Sequence, residues 1–128
     1  MTITEVSKKY NLTPDTLRYY ERVGLIPSVS RTSGGNRDYL EEDCRWIEFI
    51  KCMRSAGLPI EVLIEYVMLF QQGDQTIDAR KALLKEQREL LSERIAEMQK
   101  TLDRLNGKIE RYEKSVIPVE HELRKKAE

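Results

Sequence analysis

The chain has 128 residues, 34% of them charged and 40% hydrophobic, and its 22 Lys and Arg residues balance 22 Asp and Glu residues. This length suits one small domain with an extension, and the composition is ordinary for a soluble protein. No apolar run approaches the ~20 residues of a membrane span and the N-terminus has no basic-then-apolar signal, so we predict a cytoplasmic protein without a membrane partner, whose cysteines are reduced.

The charged residues are unevenly distributed along the chain. Residues 1–37 carry six basic and three acidic residues, whereas residues 38–75 carry three basic and eight acidic residues. From residue 76 onward there are thirteen basic and eleven acidic residues. The excess of positive charge in the first 37 residues favours an anionic partner for that segment.

Two short helices joined by a tight link are predicted at the N-terminus. The first runs from Ile3 to Tyr10, and the link is Asn11-Leu12. The second begins at Thr13, a favourable N-cap, has Pro14 where a missing N–H costs nothing, and ends at Gly24. This spacing is typical of a helix-turn-helix, in which the second helix reads DNA.

The second helix has one apolar face and one polar face. Leu17 and Tyr20 are spaced to face a core, which turns the basic residues outward. Downstream, the glycine-rich turn Ser33 to Asn36 predicts a hairpin, or wing, whose flanking arginines suit phosphate contacts. The candidate DNA-contacting residues are Thr16, Arg18, Tyr19, Arg22, Arg31, Asn36, Arg37 and Tyr39.

Two further amphipathic helices complete the predicted head. One spans Leu40 to Ala56 and the other spans Ile60 to Phe70. If Trp46 is the centre of the first apolar face, at about 100° per residue, Cys44 falls on the opposite polar side and Cys52 at the edge of the core. The predicted apolar positions are Trp46, Phe49, Ile50, Met53 and Ala56 in the first helix and Val62, Leu63, Tyr66, Val67 and Phe70 in the second.

A long charged helix with a heptad repeat follows. It is predicted from Thr76 to Lys114, on the order of 60 Å, and its apolar stripe is too long for the head to cover. We therefore predict that it pairs with the same helix of a second chain, in a parallel or an antiparallel arrangement. Pro118 is expected to end the helical run and to leave a charged tail. The predicted dimerisation residues are Ile77, Leu84, Leu91, Ile95, Met98, Leu102, Leu105, Ile109 and Tyr112.

Several strings in the head resemble the DNA-binding domain of the MerR family of bacterial transcription regulators. They are TLRYYERVGLI from Thr16, GGNRDY from Gly34, the acidic helix start at Glu41 to Asp43 and the turn at Gly57. The resemblance implies a mainly α fold with a winged helix-turn-helix domain over residues 1–72. A dimerisation helix over residues 74–116 would form an antiparallel coiled coil in a homodimer, and residues 117–128 would be a short tail.

The same resemblance implies what the dimer does with DNA. Two heads at a fixed separation would bind the half-sites of a palindromic promoter. The promoter would have an overlong spacer, which the dimer bends and untwists so that RNA polymerase engages both promoter elements.

The regulatory input depends on the cysteines. The only histidine is His121, and no Cys or His pair has ligand spacing, so neither a metal site nor a cofactor is expected. The string FIKCMRSAGLPIEVLIEY is similar to a MerR subgroup that responds to reactive aldehydes and to electrophilic or nitrosative stress through one thiol in this helix. This similarity implies that Cys52 is a regulatory thiol.

Alternatives remain open at this point. In one alternative, the chain is a DNA-binding regulator that does not use a thiol as a sensor, and Cys52 is a small buried hydrophobic residue. In a second alternative, the chain is an interaction or architectural module, and the coiled coil is its functional part. A nucleophilic cysteine needs a base within reach, and His121 lies in the tail, so no catalytic residue and no enzyme activity are predicted.

Overall fold

A computed structural model of the chain describes residues 1–127; Glu128, the last residue of the predicted tail, lies outside the described residues. The chain forms two compact units, the first over residues 1–87 and the second from residue 88 onward. No helix within the described residues combines the length and the apolar character needed to cross a membrane. The α-helices are α1 (Ile3–Tyr10), α2 (Pro14–Arg22), α3 (Glu41–Ser55), α4 (Ile60–Gln72), α5 (Ile77–Glu110) and α6 (Ile117–Ala127).

The helix-turn-helix of the first unit begins at polar N-caps. The side chains of Thr2 and Glu5 form a capping box at the start of α1. At the start of α2, the Thr16 N–H donates to the Thr13 hydroxyl at 3.1 Å, and Pro14 occupies the first turn. These contacts satisfy N–H groups that no carbonyl within the helix can reach. The predicted helix-turn-helix is therefore confirmed.

Glycines in the left-handed region end α2 and α3. Gly24 has a φ of 84° and Gly57 a φ of 90°, a region that residues with a Cβ seldom occupy. The Leu25 N–H donates to the Tyr20 carbonyl at 2.9 Å, and Leu58 makes the equivalent bond after α3 at 3.0 Å. These Schellman motifs stop the helices and turn the next leucine into the core.

The core of the first unit lies where the first four helices meet. Leu17 and Tyr20 of α2 are buried there, as predicted. The segment after α2 also contributes, because the Schellman turn directs it inward. The cluster contains Val6, Leu17, Tyr20, Leu25, Ile26, Val29, Tyr39, Cys44, Ile47, Ile50, Leu58 and Leu63.

The buried face of α3 is centred on Ile47 and not on Trp46. Cys44, Ile47 and Ile50 are the buried residues of this helix. Cys44 is only 5% exposed, so its predicted position on the polar side is wrong. Cys52 lies about 140° around the helix from Ile47 and is exposed, so its predicted position at the edge of the core is wrong too.

The aromatic side chains explain why α3 turns this way. Trp46 and Phe49 are half-buried and pack edge-on or tilted against Tyr66 of α4. The ring centres of Trp46 and Phe70 are 5.0 Å apart, and the guanidinium of Arg80 lies 5.6 Å from the Phe70 ring centre. The large rings thus join α3 to α4 at the flank of the core, and smaller side chains fill its centre.

Helical structure extends beyond the predicted end of the long helix. α5 stops at Glu110, earlier than the predicted Lys114, and a π turn over Tyr112–Val116 follows. Pro118 does not end the helical run, because it lies in the first turn of α6, where its missing N–H needs no partner. The predicted tail is therefore helical over Ile117–Ala127.

Candidate nucleic-acid interface

The outward face of α2 carries four of the candidate DNA-contacting residues. Arg18 and Arg22 are exposed, and Thr16 and Tyr19 are half-buried. The Arg22 guanidinium lies 5.6 Å from the centre of the Tyr19 ring, a cation–π contact that orients both side chains. Arg18 is paired with the exposed Asp15 at 2.9 Å. Exposed pairs of this kind are weak, so the Arg18 guanidinium remains available to a phosphate.

The wing is a short hairpin over residues 30–38. Arg31 and Arg37 face each other in a single antiparallel bridge. Above this bridge the Thr32 N–H donates to the Asn36 carbonyl at 2.8 Å. The hairpin predicted from the glycine-rich turn is present, with both flanking arginines in its two legs.

A carboxylate connects the wing to the end of α2. The Arg37 Nε donates to Glu21 Oε1 at 2.7 Å, and the Val29 N–H donates to Glu21 Oε2 at 3.1 Å. The side chains of Arg37 and Glu21 are only 22% and 15% exposed. Burial raises the pKa of Glu21, but the hydrogen bonds from Arg37 and Val29 and the charges of Arg37 and Arg31 outweigh burial and hold the pKa below its ordinary value.

Several candidate residues come together around one cavity. The cavity has a volume of about 350 Å³ and is bordered by the start of α1, by α2 and by the wing. Three arginines border this cavity, and a guanidinium suits a phosphate because it presents a planar fork of N–H donors. The candidate residues that line the cavity are Arg18, Arg31, Asn36 and Arg37, whereas Thr16, Tyr19 and Arg22 lie elsewhere on α2.

Tyr39 does not belong to this surface. Its side chain is 1% exposed, and within the described residues its hydroxyl has no hydrogen-bond partner. Burial raises the pKa of this hydroxyl. The assignment of Tyr39 as a DNA-contacting residue is therefore corrected to a core residue, because a ring enclosed by the core has no surface to offer a base or a phosphate.

The two cysteines of α3 have opposite environments. Cys44 is buried beside Tyr10, and burial together with the neighbouring Cys44 raises the pKa of the Tyr10 hydroxyl. Cys52 is exposed. The neighbouring Lys51 and Arg54 donate to backbone carbonyls and are not directed at the Cys52 thiol. Within residues 1–127, no three His, Cys, Asp or Glu side chains are grouped as a metal site requires.

The heptad residues of the second unit form an exposed apolar stripe. Leu91 is half-buried, and the exposure of the others runs from 43% for Tyr112 to 72% for Met98. Exposed apolar stripes of this extent are typical of interaction surfaces. The exposed members are Ile95, Met98, Leu102, Leu105, Ile109 and Tyr112; earlier in α5, Ile77 is exposed and Leu84 is half-buried.

The outward face of α2, the wing and the basic cavity define a winged helix-turn-helix of the kind that binds DNA. A family model described as "MerR HTH family regulatory protein" matches residues 1–68, and one described as "MerR, DNA binding" matches residues 44–108. The chain belongs to the MerR family of DNA-binding transcriptional regulators. It is a regulator and not an enzyme, as predicted.

Two individual proteins are similar to the chain over most of its length. The chain is 61% identical over 93 residues to the transcriptional regulator AdhR of Bacillus subtilis (strain 168), a match that covers 73% of the chain and 66% of AdhR. The crystal structure of a protein assigned to the MerR family in Listeria monocytogenes is 49% identical, with a TM-score of 0.88 over 98% of this chain and 95% of that protein.

A third relative has been seen with DNA. HiNmlR, a MerR family regulator lacking the sensor domain, was crystallised bound to promoter DNA; it is 29% identical, with a TM-score of 0.80 over 91% of this chain and 92% of HiNmlR. Together with AdhR, it supports the assignment of the chain to a subgroup of the MerR family with AdhR-like and NmlR-like members.

Sequence reasoning overlooked Glu21. One signal for it was present, because a carboxylate in the last turn of a helix interacts unfavourably with the helix dipole unless it has another partner. The structure supplies that partner in Arg37. Arg37, predicted as a free phosphate contact, is thus already paired within the protein.

The ion pair predicts how the stability of the protein depends on pH. The pKa of Glu21 is lower in the folded state than in the unfolded state. Glu21 therefore contributes fully to the free energy of unfolding when the pH is above the ordinary glutamate pKa, and this contribution is lost as the pH falls through the folded-state pKa. We expect wild-type protein to be more stable than Glu21→Gln at neutral pH, and this difference to shrink from about pH 5 to about pH 3.

Urea unfolding at a fixed protein concentration measures both proteins across this range. Glu41→Gln, which removes an exposed carboxylate paired with Arg45, is the matched control and should show a smaller difference. A difference for Glu21→Gln that is constant from neutral to acid pH would contradict the assignment.

Proposed function

We propose that the chain is a homodimeric regulator that binds a palindromic promoter and controls transcription by distorting it. The observation that carries this proposal is the convergence of Arg18 and Arg31 on one cavity between α2 and the wing. The likeness to HiNmlR supports it, because that protein was crystallised on promoter DNA. In this arrangement α2 lies in the major groove and the wing contacts the phosphate backbone.

Dimerisation through α5 is part of the proposal. The exposed heptad stripe needs a partner, and a second copy presents a stripe of matching spacing. The a positions carry Lys81 and Arg88 early in the helix but Ile95, Leu102 and Ile109 later. An antiparallel pair places the less apolar half of each helix against the more apolar half of its partner, which favours this orientation.

The dimer then acts on the shape of the promoter. Two heads at a fixed separation bind two half-sites on one side of the duplex, and bending the spacer between them costs energy that the protein–phosphate contacts supply. In our proposal this distortion aligns the promoter elements for RNA polymerase. The alternative of a pure interaction module predicts that no promoter fragment is retained specifically.

The proposed inducer is a reactive aldehyde or another electrophile that modifies Cys52. The exposure of Cys52 supports this role, because an exposed side chain cannot serve as the small buried hydrophobe of the alternative interpretation. With an aldehyde, the Cys52 S–H bond breaks, an Sγ–C bond forms at the carbonyl carbon, and the proton ends on the former carbonyl oxygen. The addition needs no oxidant and releases no leaving group.

DNA binding is tested first by substitutions in α2. Arg18→Ala should weaken binding to a palindromic promoter fragment and lower the salt dependence of the binding constant, because one phosphate contact per protomer is lost. Tyr19→Phe should weaken binding at constant salt dependence. Arg45→Ala, which removes an exposed arginine of α3, is the control.

Gel shifts at several salt concentrations measure these effects, with the oligomeric state checked by analytical ultracentrifugation. Loss of the dimer in Arg18→Ala would show that α2 had been oriented wrongly. Absence of specific binding by the wild-type protein would favour the interaction module.

The dimer interface is tested by a charge placed in the heptad stripe. Leu102→Glu should dissociate the dimer, because burying an unpaired carboxylate against a partner helix is costly. Lys100→Glu introduces the same residue two positions away, on the outward side of the predicted coiled coil, and should leave the dimer intact. Analytical ultracentrifugation distinguishes the two results. Equal dissociation of both variants, or of neither, would contradict the assigned interface.

The thiol assignment is tested in cells that carry a reporter for the promoter. Cys52→Ser should abolish the response to an added aldehyde, and Cys44→Ser should retain it, because only Cys52 is exposed. Both variants should still bind the promoter fragment. A full aldehyde response from Cys52→Ser would show that Cys52 is not the sensor, and would favour the alternative of a DNA-binding regulator without a regulatory thiol.

A further inference from the structure

We infer that Glu21 is a positioning residue for the wing: its carboxylate holds both legs of the wing against the end of α2, and Arg37 is a strut of the wing, not a phosphate ligand. This inference rests on the proposed DNA-binding function. It assigns the affinity for DNA partly to a residue whose charge is the same as that of DNA.

The two carboxylate oxygens of Glu21 bind the residue that enters the first leg of the wing and a residue within the second leg. Oε2 accepts the N–H of Val29, the residue before the first leg, and Oε1 accepts the Nε of Arg37 in the second leg. Between these points, the Asp38 N–H donates to the Ser30 carbonyl at 2.8 Å and closes the base of the hairpin. One side chain of α2 therefore contacts the chain at the entry to the first leg and within the second leg.

The wing needs such a carboxylate because its two arginines are paired across the bridge. Like charges directly opposite each other in antiparallel strands are destabilising. The charges of both Arg37 and Arg31 act on the Glu21 carboxylate, which offsets their mutual repulsion. A hairpin with a single bridge has little other backbone pairing to hold it, so this contact matters more than it would in a long hairpin.

The two arginines thus have different roles. Arg31 is exposed, and its Nη1 donates to the Gly35 carbonyl at the tip of the wing. Arg37 is largely buried, with its Nε taken by Glu21. Arg31 is therefore the arginine of the wing that is free to contact a phosphate.

Glutamine cannot fully replace Glu21. The site has two donors, the Arg37 Nε–H and the Val29 N–H, and a carboxylate offers an acceptor oxygen to each. An amide offers one acceptor oxygen, and its NH₂ group would meet the other donor. Glu21→Gln therefore breaks one of the two links while it keeps the shape of the side chain.

Amide hydrogen exchange on the DNA-free protein tests the strut directly. In Glu21→Gln, the Val29 and Asp38 amides should exchange about tenfold faster, because the base of the wing opens more often. The buried Leu63 amide in α4 should exchange faster by no more than the loss of global stability measured in urea, which separates local opening of the wing from unfolding of the whole unit. Glu41→Gln is the matched control. Unchanged exchange at Val29 and Asp38 would overturn the inference.

Binding to the palindromic promoter fragment then decides between a strut and a masked phosphate ligand. If Arg37 is a strut held by Glu21, Glu21→Gln and Arg37→Gln should each weaken binding about tenfold. The double variant should bind little more weakly than either single variant, and the salt dependence of binding should stay at the wild-type value. Arg31→Gln should instead lower the salt dependence by about one unit per phosphate contact.

The opposite result has a clear signature. If Arg37 binds phosphate and Glu21 only competes for it, Glu21→Gln tightens binding and Arg37→Gln lowers the salt dependence, which overturns the inference. Failure of the wild-type protein to bind any palindromic fragment would refute the proposed function. The exchange experiment would still decide whether Glu21 holds the wing.

Discussion

The structure of the first unit depends on the burial of one face of α2. This helix is nine residues long, too short to be stable alone, and Leu17 and Tyr20 anchor it in the core. Its N-cap and its Schellman turn fix where it begins and ends, so the outward direction of Arg18 and Arg22 follows from helical geometry. The surface that we propose for DNA binding is thus a consequence of apolar packing on the opposite side of the same helix.

Carboxylates organise the basic surface that this packing creates. The chain carries no net charge, and its basic residues act through local arrangement. Asp15 makes an exposed and weak pair with Arg18, whereas Glu21 makes a largely buried pair with Arg37. Partial exclusion of water strengthens the second pair. In our proposal, burial therefore separates Arg18, which is available to DNA, from Arg37, which supports the wing.

Two exposed features of the chain are not explained by packing within it: the heptad stripe of the second unit and Cys52. The heptad stripe of the second unit exposes large apolar side chains, which a partner helix would remove from water. Cys52 lies exposed on α3, on the opposite side from the residues that hold this helix in the core. An electrophile can therefore reach the thiol without opening the core. In our proposal, a modified Cys52 therefore acts through the surface of α3 rather than by disturbing the packing around Ile47.

The sequence by itself determined the features that depend on neighbours within a turn: the cap at Thr13, the glycine stops, the position of the wing and the heptad spacing. Local hydrogen bonds and backbone conformation specify these, so short strings suffice. Only the tertiary structure decided the exchanged environments of Cys44 and Cys52, the burial of Tyr39 and the pairing of Arg37 with Glu21. These features depend on which side of α3 packs against its neighbours and on contacts between residues distant in the chain. Helical periodicity does not decide the first point, because α3 has more than one apolar face of similar width.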